Sequence, residues 1–347
     1  MAANDSTVNA TIENDYYDYT EDYEDEICNK RDVIKFGAII TPVLFPIVVI
    51  LSVFGNVLVI VILAKYENLK SLTNAFILNL AISDLFFTAG LPFWTYNHVH
   101  GWTLGEHICQ MVNFVFYVGF YSSSIFLMLM TAHRYVAVIN PLSNIVSTTG
   151  SYSVVTCVIV WAVSTLAASP AFLFTKVDQN QCVHKNSPWT LFGIYMQNVL
   201  FMLSSVVFIF CNSQIMYRLL RPTVQKRKNK TLKLILTLTV VFFVGWAPYN
   251  VAIFLRSLDI RPQTTDSKTL AVLCEASQSL DYAFYICRIL AFSHCCVNPV
   301  FYVFVGIKFK NHLKKMLKGW GHRNSGIRNR QSRLTITSLT SGEEFSM

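Results

Sequence analysis

The sequence contains seven long runs almost free of charged residues, and these runs constrain the fold more than any other feature. A helix that crosses a bilayer needs roughly 17–25 predominantly apolar residues, and each run has room for one. Only 14% of the residues are charged, whereas a soluble domain carries about 25%. This composition excludes a soluble, disordered or collagen-like chain and predicts an all-α membrane protein, a seven-transmembrane helix bundle. The runs cover residues 36–64, 71–105, 107–133, 135–175, 186–217, 234–255 and 281–307.

Basic residues are distributed unevenly between the two sides of these spans. The connections after spans one, three and five, together with the C-terminal tail, hold 19 of the 28 Lys and Arg residues. Residues 1–27 hold nine acidic residues and no basic one. Because short loops rich in Lys and Arg stay in the cytoplasm, this pattern predicts an outer N-terminus and an inner C-terminus. The sequons at Asn4 and Asn9 would then lie outside, where N-glycosylation occurs.

The chain divides into four parts on this basis. Residues 1–35 form an extracellular, acidic and tyrosine-rich N-terminus, and residues 36–307 form the transmembrane bundle. In residues 308–318 the apolar positions fall on one helical face and the lysines on the other, which predicts a short helix on the membrane surface. Residues 319–347 are polar, basic and rich in Ser and Thr, a composition typical of a disordered cytoplasmic tail.

One carboxylate lies in the middle of a predicted span. Burying an ionisable group in lipid costs at least about 2.5–3.5 kcal/mol, so Asp84 must face the bundle interior and find polar partners. Oxygen and imidazole groups at comparable depth on other spans indicate a small monovalent-cation site, with allosteric Na⁺ as its occupant. The alternative is a hydrogen-bonded polar knot that fixes packing, and no other cofactor is predicted. The candidate partners of Asp84 are Asn56, Ser123, His294 and Asn298.

Three features at the spans have both a structural and a functional interpretation. Arg134, at the inner end of span three, is either a snorkelling, positive-inside arginine or part of a functional motif. Pro248, two residues after Trp246, removes a backbone hydrogen bond from span six and produces either a static bend or a hinge. Pro299, directly after Asn298, repeats this device near the inner end of span seven.

Four of the nine cysteines lie in or beside the predicted outer regions. An even number of cysteines facing an oxidising compartment predicts disulfides, here two bridges among Cys28, Cys109, Cys182 and Cys274. Spacing alone leaves three pairings open. The other five cysteines lie within spans, and we expect them to be buried free thiols.

Seven short motifs follow one another in order along the predicted spans, two of them on span three and none on span five. They are Gly55-Asn56, Leu80-Ala-Ile-Ser-Asp84, Cys109, His133-Arg134-Tyr135, Trp161, Trp246-Ala-Pro248 and Asn298-Pro-Val-Phe-Tyr302. As a set they resemble the rhodopsin-like G-protein-coupled receptors across residues 36–318. This resemblance implies the disulfides Cys109–Cys182 and Cys28–Cys274.

Further stretches narrow the resemblance. The acidic N-terminus with Cys28, the stretch Trp102-Thr-Leu-Gly105 before Cys109, and Ser293-His-Cys-Cys-Val-Asn-Pro299 resemble chemokine receptors. Within that group, several segments look most like the XC-type (lymphotactin) receptors. These segments are residues 65–74, 286–294 and 302–309.

The resemblance implies a function and a set of partners. We expect a plasma-membrane receptor, embedded in the lipid bilayer, that binds a small basic chemokine outside and activates an inhibitory-class heterotrimeric G protein inside. Calcium signalling, chemotaxis and arrestin binding would follow, and no nucleic-acid partner is expected. The alternative is a scavenger receptor that internalises chemokine without activating a G protein. An enzyme is not expected, because the sequence contains neither Gly-x-Ser-x-Gly nor His-Glu-x-x-His.

Two groups of residues are expected to bind the chemokine. Tyrosines among the N-terminal acids are in the setting in which such receptors are sulfated, and this charge would attract a basic ligand. Arg288 stands where most chemokine receptors have a glutamate, which implies either a ligand tip with a carboxylate or an internal partner such as Asp281. Glu106 and Glu275 remain as acidic anchors. The tyrosines are Tyr16, Tyr17, Tyr19 and Tyr23, and the aromatic residues expected at the bundle mouth are Trp94, Phe116, Tyr117 and Tyr249.

The resemblance also implies a route across the membrane. Ligand contact would shift packing at Trp246, and span six would then swing outward about Pro248. His133 replaces the usual aspartate beside the arginine, which implies raised basal activity or altered coupling. Asn212 and Ser204 replace a common tyrosine and a common proline in span five. The residues assigned to activation and coupling are His133, Arg134, Tyr135, Trp246, Pro248, Asn298, Pro299 and Tyr302.

Overall fold

The protein is a bundle of long helices with a single two-stranded hairpin among the residues that the structure describes. The structure is a computed structural model, and it describes residues 30–139, 150–178, 180–184, 187–219, 229–258, 267–305 and 309–316. The elements are α1 (Arg31–Tyr66), α2 (Leu72–His100), α3 (Glu106–Ile139), α4 (Gly150–Leu173), β1 (Thr175–Asp178), β2 (Gln181–His184), α5 (Ser187–Leu219), α6 (Asn229–Ser257), α7 (Ser267–Phe292), α8 (His294–Val305) and α9 (309–316).

Seven helical segments of the described chain are long and apolar enough to cross a membrane. Each of α1 to α6 supplies one of them, and the seventh runs over Val272–Val300, through α7 and α8. The seven-helix fold predicted from the charge-free runs is therefore confirmed. Some helices extend beyond the charge-free runs: α1 begins at Arg31, and the seventh span begins before Asp281. The short helix α9 falls within the predicted surface helix.

A proline decides how the seventh span joins the first. Pro299 has no N–H group, so the carbonyl of Cys295 four residues earlier receives no helical hydrogen bond from it. The side-chain amide of Asn56 donates to that carbonyl at 2.8 Å, and the hydroxyl of Ser52 donates to it at 3.4 Å. Both donors come from α1, so the freed backbone group is used to hold α8 against α1.

The third helix is the most deeply buried span, and α4 is the least buried. Gly119 shows how closely α3 approaches α2, because a Cβ atom at this position would lie 2.3 Å from the backbone nitrogen of Phe87. Only glycine leaves room for that contact. Nearly every residue of α3 between Phe116 and Leu127 is buried, which places this helix at the centre of the bundle.

Large apolar side chains cover the outside of the bundle. Leu166 on α4 is 73% exposed, Phe54 on α1 is 71% exposed, and Val206 on α5 is 64% exposed. A water-soluble monomer rarely exposes large contiguous apolar patches, whereas hydrocarbon chains are a suitable solvent for such a surface. The outward-facing residues therefore agree with a bundle embedded in lipid.

The hairpin closes one end of the bundle. Its strands pair antiparallel, with Val177 opposite Cys182, and Asn180 takes a positive φ of 61° in the turn. A disulfide joins Cys182 to Cys109 near the start of α3, with Cα atoms 5.7 Å apart, so the predicted Cys109–Cys182 bridge is confirmed. We call this the hairpin end, and we call the opposite end, where α3 carries Arg134, the Arg134 end.

Candidate functional site

A cavity of about 40 Å³ opens between the helices at the hairpin end. Five of the eight ligand-binding residues predicted outside the N-terminal tyrosines line it, namely Trp94, Phe116, Tyr117, Tyr249 and Arg288. Its wall combines apolar and aromatic side chains with a few polar groups, which is the usual character of a ligand pocket. The lining residues are Thr41, Phe45, Trp94, His98, Phe116, Tyr117, Gln197, Tyr249, Arg288 and Phe292.

Arg288 is the most strongly charged group in this wall. The residue is 7% exposed, and its Nη2 donates a hydrogen bond to Oγ1 of Thr41 at 3.2 Å. Its guanidinium carbon lies 5.2 to 5.6 Å from the ring centres of Phe45, Phe284 and Tyr285. Aromatic faces stabilise a cation at these distances, so the three rings and Thr41 hold the guanidinium in place. The cavity thus presents a fixed positive charge.

Asp281 lies outside the cavity wall and pairs with other cations. Its Oδ2 is 3.2 Å from Nζ of Lys30, and its Oδ1 is 3.6 Å from Nε of Arg256. The guanidinium of Arg256 in turn lies 4.3 Å from the ring centre of Phe284, which is the ring that also contacts Arg288. One carboxylate is therefore shared by two cations, the buried Lys30 before α1 and the partly buried Arg256 of α6. We call Lys30, Arg256 and Asp281 the hairpin-end clasp.

The two predicted acidic anchors lie away from the cavity wall. Glu106 is exposed in the first turn of α3 and accepts a hydrogen bond from the side-chain amide of Gln110 at 3.2 Å. Glu275 is exposed on α7. The predicted tyrosines and the sequons Asn4 and Asn9 lie outside the described residues, as does Cys28. Cys274, the predicted partner of Cys28, is disulfide-bonded.

Asp84 forms a buried polar knot in the middle of the bundle. Ser123 donates to its Oδ1 at 2.8 Å, and the amide of Asn298 donates to its Oδ2 at 2.8 Å. Nε2 of His294 lies 3.8 Å from Oδ1. Asn56 bonds Ser52 and the Cys295 carbonyl instead, so unlike Ser123 and Asn298 it donates no hydrogen bond to the carboxylate, and the prediction of Asn56 as a direct partner was wrong.

The orientation of His294 follows from its second nitrogen. Nδ1 lies 2.9 Å from the carbonyl oxygen of Ala291, and a carbonyl can only accept a hydrogen bond. We therefore assign the proton of a neutral ring to Nδ1, which leaves a lone pair on Nε2. That lone pair faces Oδ1 of Asp84 across 3.8 Å. Two acceptors facing each other at this separation can share a small cation between them.

Trp246 connects the ligand cavity to the polar knot. Its ring is 3% exposed and lies 5.9 Å from the Tyr249 ring, which lines the cavity, and 5.0 Å from the His294 ring, which faces Asp84. Trp246 also packs against Phe120 of α3 at 5.0 Å. Pro248 lies two residues further along α6. Trp246 thus contacts both a ring that lines the cavity and the ring that faces Asp84.

At the Arg134 end, the residue before the arginine has an aromatic partner. The ring of His133 contacts the edge of Phe76 on α2 at 6.4 Å, and neither of its ring nitrogens has a hydrogen-bond partner among the described residues. Arg134 makes no salt bridge with any carboxylate in the described part of the chain. Tyr135 packs against Phe210 of α5. Tyr302 lies in α8, but its side chain is outside the described part.

Some contacts of the site carry no signal in the sequence. Thr41, His98 and Gln197 line the cavity, yet each is an ordinary polar residue of an apolar span. The sequence names Asp281 only as a possible partner of Arg288, whereas it pairs with Lys30 and Arg256. This lysine and this arginine lie about 250 and 25 residues from that carboxylate, so no spacing rule links them. Only the packed helices show which polar groups meet.

Known proteins place these features in a family. The sequence model of the family 7 transmembrane receptor (rhodopsin family) matches residues 55–302 of this chain. Chemokine XC receptor 1 of Homo sapiens is 44% identical over 283 residues, which cover 82% of this chain and 83% of that protein. The Mus musculus Chemokine XC receptor 1 is 42% identical over 303 residues, covering 87% and 90%. C-C chemokine receptor type 4 of Homo sapiens is 34% identical over 323 residues, covering 90% and 87%. The chain therefore belongs to the rhodopsin-like seven-transmembrane receptors and, within them, to the chemokine receptors of the XC type.

Proposed function

We propose that this plasma-membrane chemokine receptor binds an XC-type chemokine at its hairpin end and activates an inhibitory-class G protein at its Arg134 end. The observation that supports the ligand most directly is the buried cation Arg288 in the wall of the cavity. A guanidinium binds a carboxylate through two parallel hydrogen bonds. The tip of the ligand that enters the cavity would therefore carry a carboxylate.

The proposed orientation places the hairpin end outside the cell. It is supported by the 19 basic residues on the opposite side of the spans and by the nine acids of residues 1–27. The acidic residues of the N-terminal segment would attract a basic chemokine over a distance set by the ionic strength. Sulfation of Tyr16, Tyr17, Tyr19 and Tyr23 would add to that charge. The body of the ligand and its tip would thus meet charges of opposite sign.

The signal would cross the membrane through Trp246. A ligand tip that displaces Tyr249 would change the packing of Trp246 against Phe120 and His294. Rotation of α6 about Pro248 would then open the Arg134 end to a G-protein helix. The ligand can shift this equilibrium only by the difference between its affinities for the two packings. Arrestin would bind later, at the Ser- and Thr-rich tail after phosphorylation.

We further propose that Na⁺ occupies the space between Asp84 and His294 and stabilises the resting packing. The two lone pairs 3.8 Å apart and the hydroxyl of Ser123 suit a small hard cation. Asn298 would hold the carboxylate in position from its other oxygen. When bound, Na⁺ would supply positive charge against the Asp84 carboxylate, beside Trp246. Agonist affinity should then be lower in Na⁺ than in K⁺ at equal ionic strength, and Asp84→Asn should remove that difference.

A non-signalling scavenger receptor is the second candidate function. It is favoured by His133, because a histidine packed on Phe76 cannot form the carboxylate–arginine pair that most relatives place there. Both candidates predict chemokine binding and internalisation. Calcium and cAMP responses of transfected cells to a chemokine panel separate them, because only a signalling receptor lowers cAMP. Binding and internalisation without either response would support the scavenger.

A further inference from the structure

A small cavity lies between α3, α5 and α6, deeper in the bundle than the ligand cavity. Its wall contains three polar side chains, Ser124, Ser204 and Asn250, among large apolar ones. The remaining lining residues are Phe120, Leu200, Phe201, Phe242 and Trp246. The space has a volume of about 10 Å³, close to the minimum that holds one water molecule.

Each of the three polar side chains donates a hydrogen bond within its own helix. The hydroxyl of Ser124 donates to the carbonyl of Phe120 at 3.0 Å, and that of Ser204 donates to the carbonyl of Leu200 at 2.8 Å. The amide nitrogen of Asn250 donates to the carbonyl of Trp246 at 2.8 Å. Each serine therefore keeps lone pairs, while its proton is used within its own helix.

The side-chain oxygen of Asn250 is the group that most requires an explanation. Asn250 is 3% exposed, and its Oδ1 is buried without any hydrogen-bond partner among the described residues. An unsatisfied carboxamide oxygen in a bundle surrounded by lipid is costly, since no solvent can reach it. A group that occupies the cavity and donates hydrogen bonds would remove that cost.

We propose that this cavity holds one water molecule that bridges α3, α5 and α6. Water has two protons to donate, and it can give one to Oδ1 of Asn250 and one to a serine oxygen. A cation is a poorer occupant, because the wall has no charged side chain. An organic molecule is excluded by the volume. The bridge lies directly against Trp246, so the ring that connects the ligand cavity to the polar knot packs on a hydrated site.

Ser204 makes this site specific to the present sequence. A proline at this position, which is common in related receptors, would remove both the hydroxyl and a backbone donor from α5. The serine instead lies fully buried and contributes an oxygen to the cavity. Ser205, the next residue, bonds the carbonyl of Phe201 in the same way but does not line the cavity. It therefore offers a matched control.

The test is radiolytic hydroxyl labelling of the full-length receptor in lipid nanodiscs, in water enriched with ¹⁸O. A bound water generates radicals beside its neighbours, so Phe242 should acquire ¹⁸O several-fold faster than Phe208. Phe208 packs against Phe242 but lies outside the cavity wall and is 0% exposed. Equal labelling of the two phenylalanines in the unmodified receptor would overturn the proposal, whatever the variants do.

Two variants then locate the water. Ser204→Val fills the cavity and removes one acceptor, so the labelling of Phe242 should fall to that of Phe208. Ser205→Val should retain the original labelling. If Phe242 labels equally in both folded variants, the label does not come from a water in this cavity and the proposal fails. If Ser204→Val does not fold, the comparison of the two phenylalanines in the unmodified receptor decides.

Discussion

Replacing Arg288 by glutamine removes the positive charge from the ligand cavity while keeping one amide that can donate a hydrogen bond. A hydrogen bond between a charged donor and a carboxylate contributes about 1.5–3 kcal/mol, more than a neutral one. Arg288 is 7% exposed and already held by Thr41 and three aromatic rings, so little ordering remains to oppose ligand binding. We therefore expect the upper half of that range, a loss of about 2–3 kcal/mol. At about 1.4 kcal/mol per tenfold, this corresponds to a roughly 30- to 150-fold weaker affinity.

The assay is competition binding of an XC-type chemokine to intact cells, with receptor density matched by an N-terminal tag. Arg288→Lys is the control, because it keeps the charge and loses the planar fork, and we expect a smaller loss. A chemokine whose tip carboxylate is neutralised should bind the unmodified receptor and the Gln variant with similar affinity, as a double-mutant cycle requires. Unchanged affinity of Arg288→Gln for the natural ligand would refute the role of this charge.

Three further predictions concern stability. Asp281→Asn leaves the two cations of the hairpin-end clasp without their shared carboxylate, which should cost about 1–3 kcal/mol and lower the thermal midpoint in detergent by several degrees. Glu275→Gln, at an exposed position, should leave the thermal midpoint unchanged. Burial lowers the pKa of His184 from 6.5 to about 4, against a weaker opposing effect of its hydrogen bond to the backbone of Phe174. As the pH falls, His184 is therefore protonated in the opened hairpin before it is protonated in the folded one. The stability of the hairpin is full above pH 6.5 and is lost as the pH falls towards 4. Between pH 7 and 5 the loss should be roughly 2 kcal/mol, measured as faster hydrogen exchange, and His184→Gln should abolish it. Asn56→Ala removes the donor that satisfies the carbonyl freed by Pro299, so thermal unfolding should show a loss of stability of about 1–3 kcal/mol. Asn56→Asp should change the stability little only if its protonated carboxyl group donates the same hydrogen bond.

The seven spans could be predicted from the sequence because the bilayer imposes a simple length rule. A run of about 20 residues without charge has few alternatives, and every such run became a helix. The breaks between helices were harder to predict from the sequence. The interruption at Ser293 divides the seventh span into α7 and α8, although no glycine or proline lies between Ala291 and Cys296 to mark it.

Depth in the membrane could be predicted, but the rotation of each helix could not. Ser123, His294 and Asn298 lie around Asp84, since residues at equal depth on facing helices meet. Asn56 has the same depth, yet its amide turns to the carbonyl of Cys295, because Pro299 leaves that group without a donor. The choice between two acceptors depends on packing at the ångström level, which periodicity does not resolve.

The charges at the hairpin end show the same limit. Arg288 was singled out because it departs from a family pattern, and it lines the cavity. Asp281 lies two turns away on the same helix, which left an intramolecular pair open. The structure pairs this carboxylate with Lys30 and Arg256 instead. Those partners come from other segments, so the outcome depended on how three segments pack together.

The most direct test of the account is ligand-stimulated nucleotide exchange on an inhibitory-class G protein. Membranes containing the unmodified receptor would be treated with an XC-type chemokine, and exchange would be compared with and without pertussis toxin. The account predicts a concentration-dependent rise that the toxin abolishes and that Arg288→Gln shifts to higher chemokine concentration. Saturable chemokine binding without any rise in exchange would contradict it.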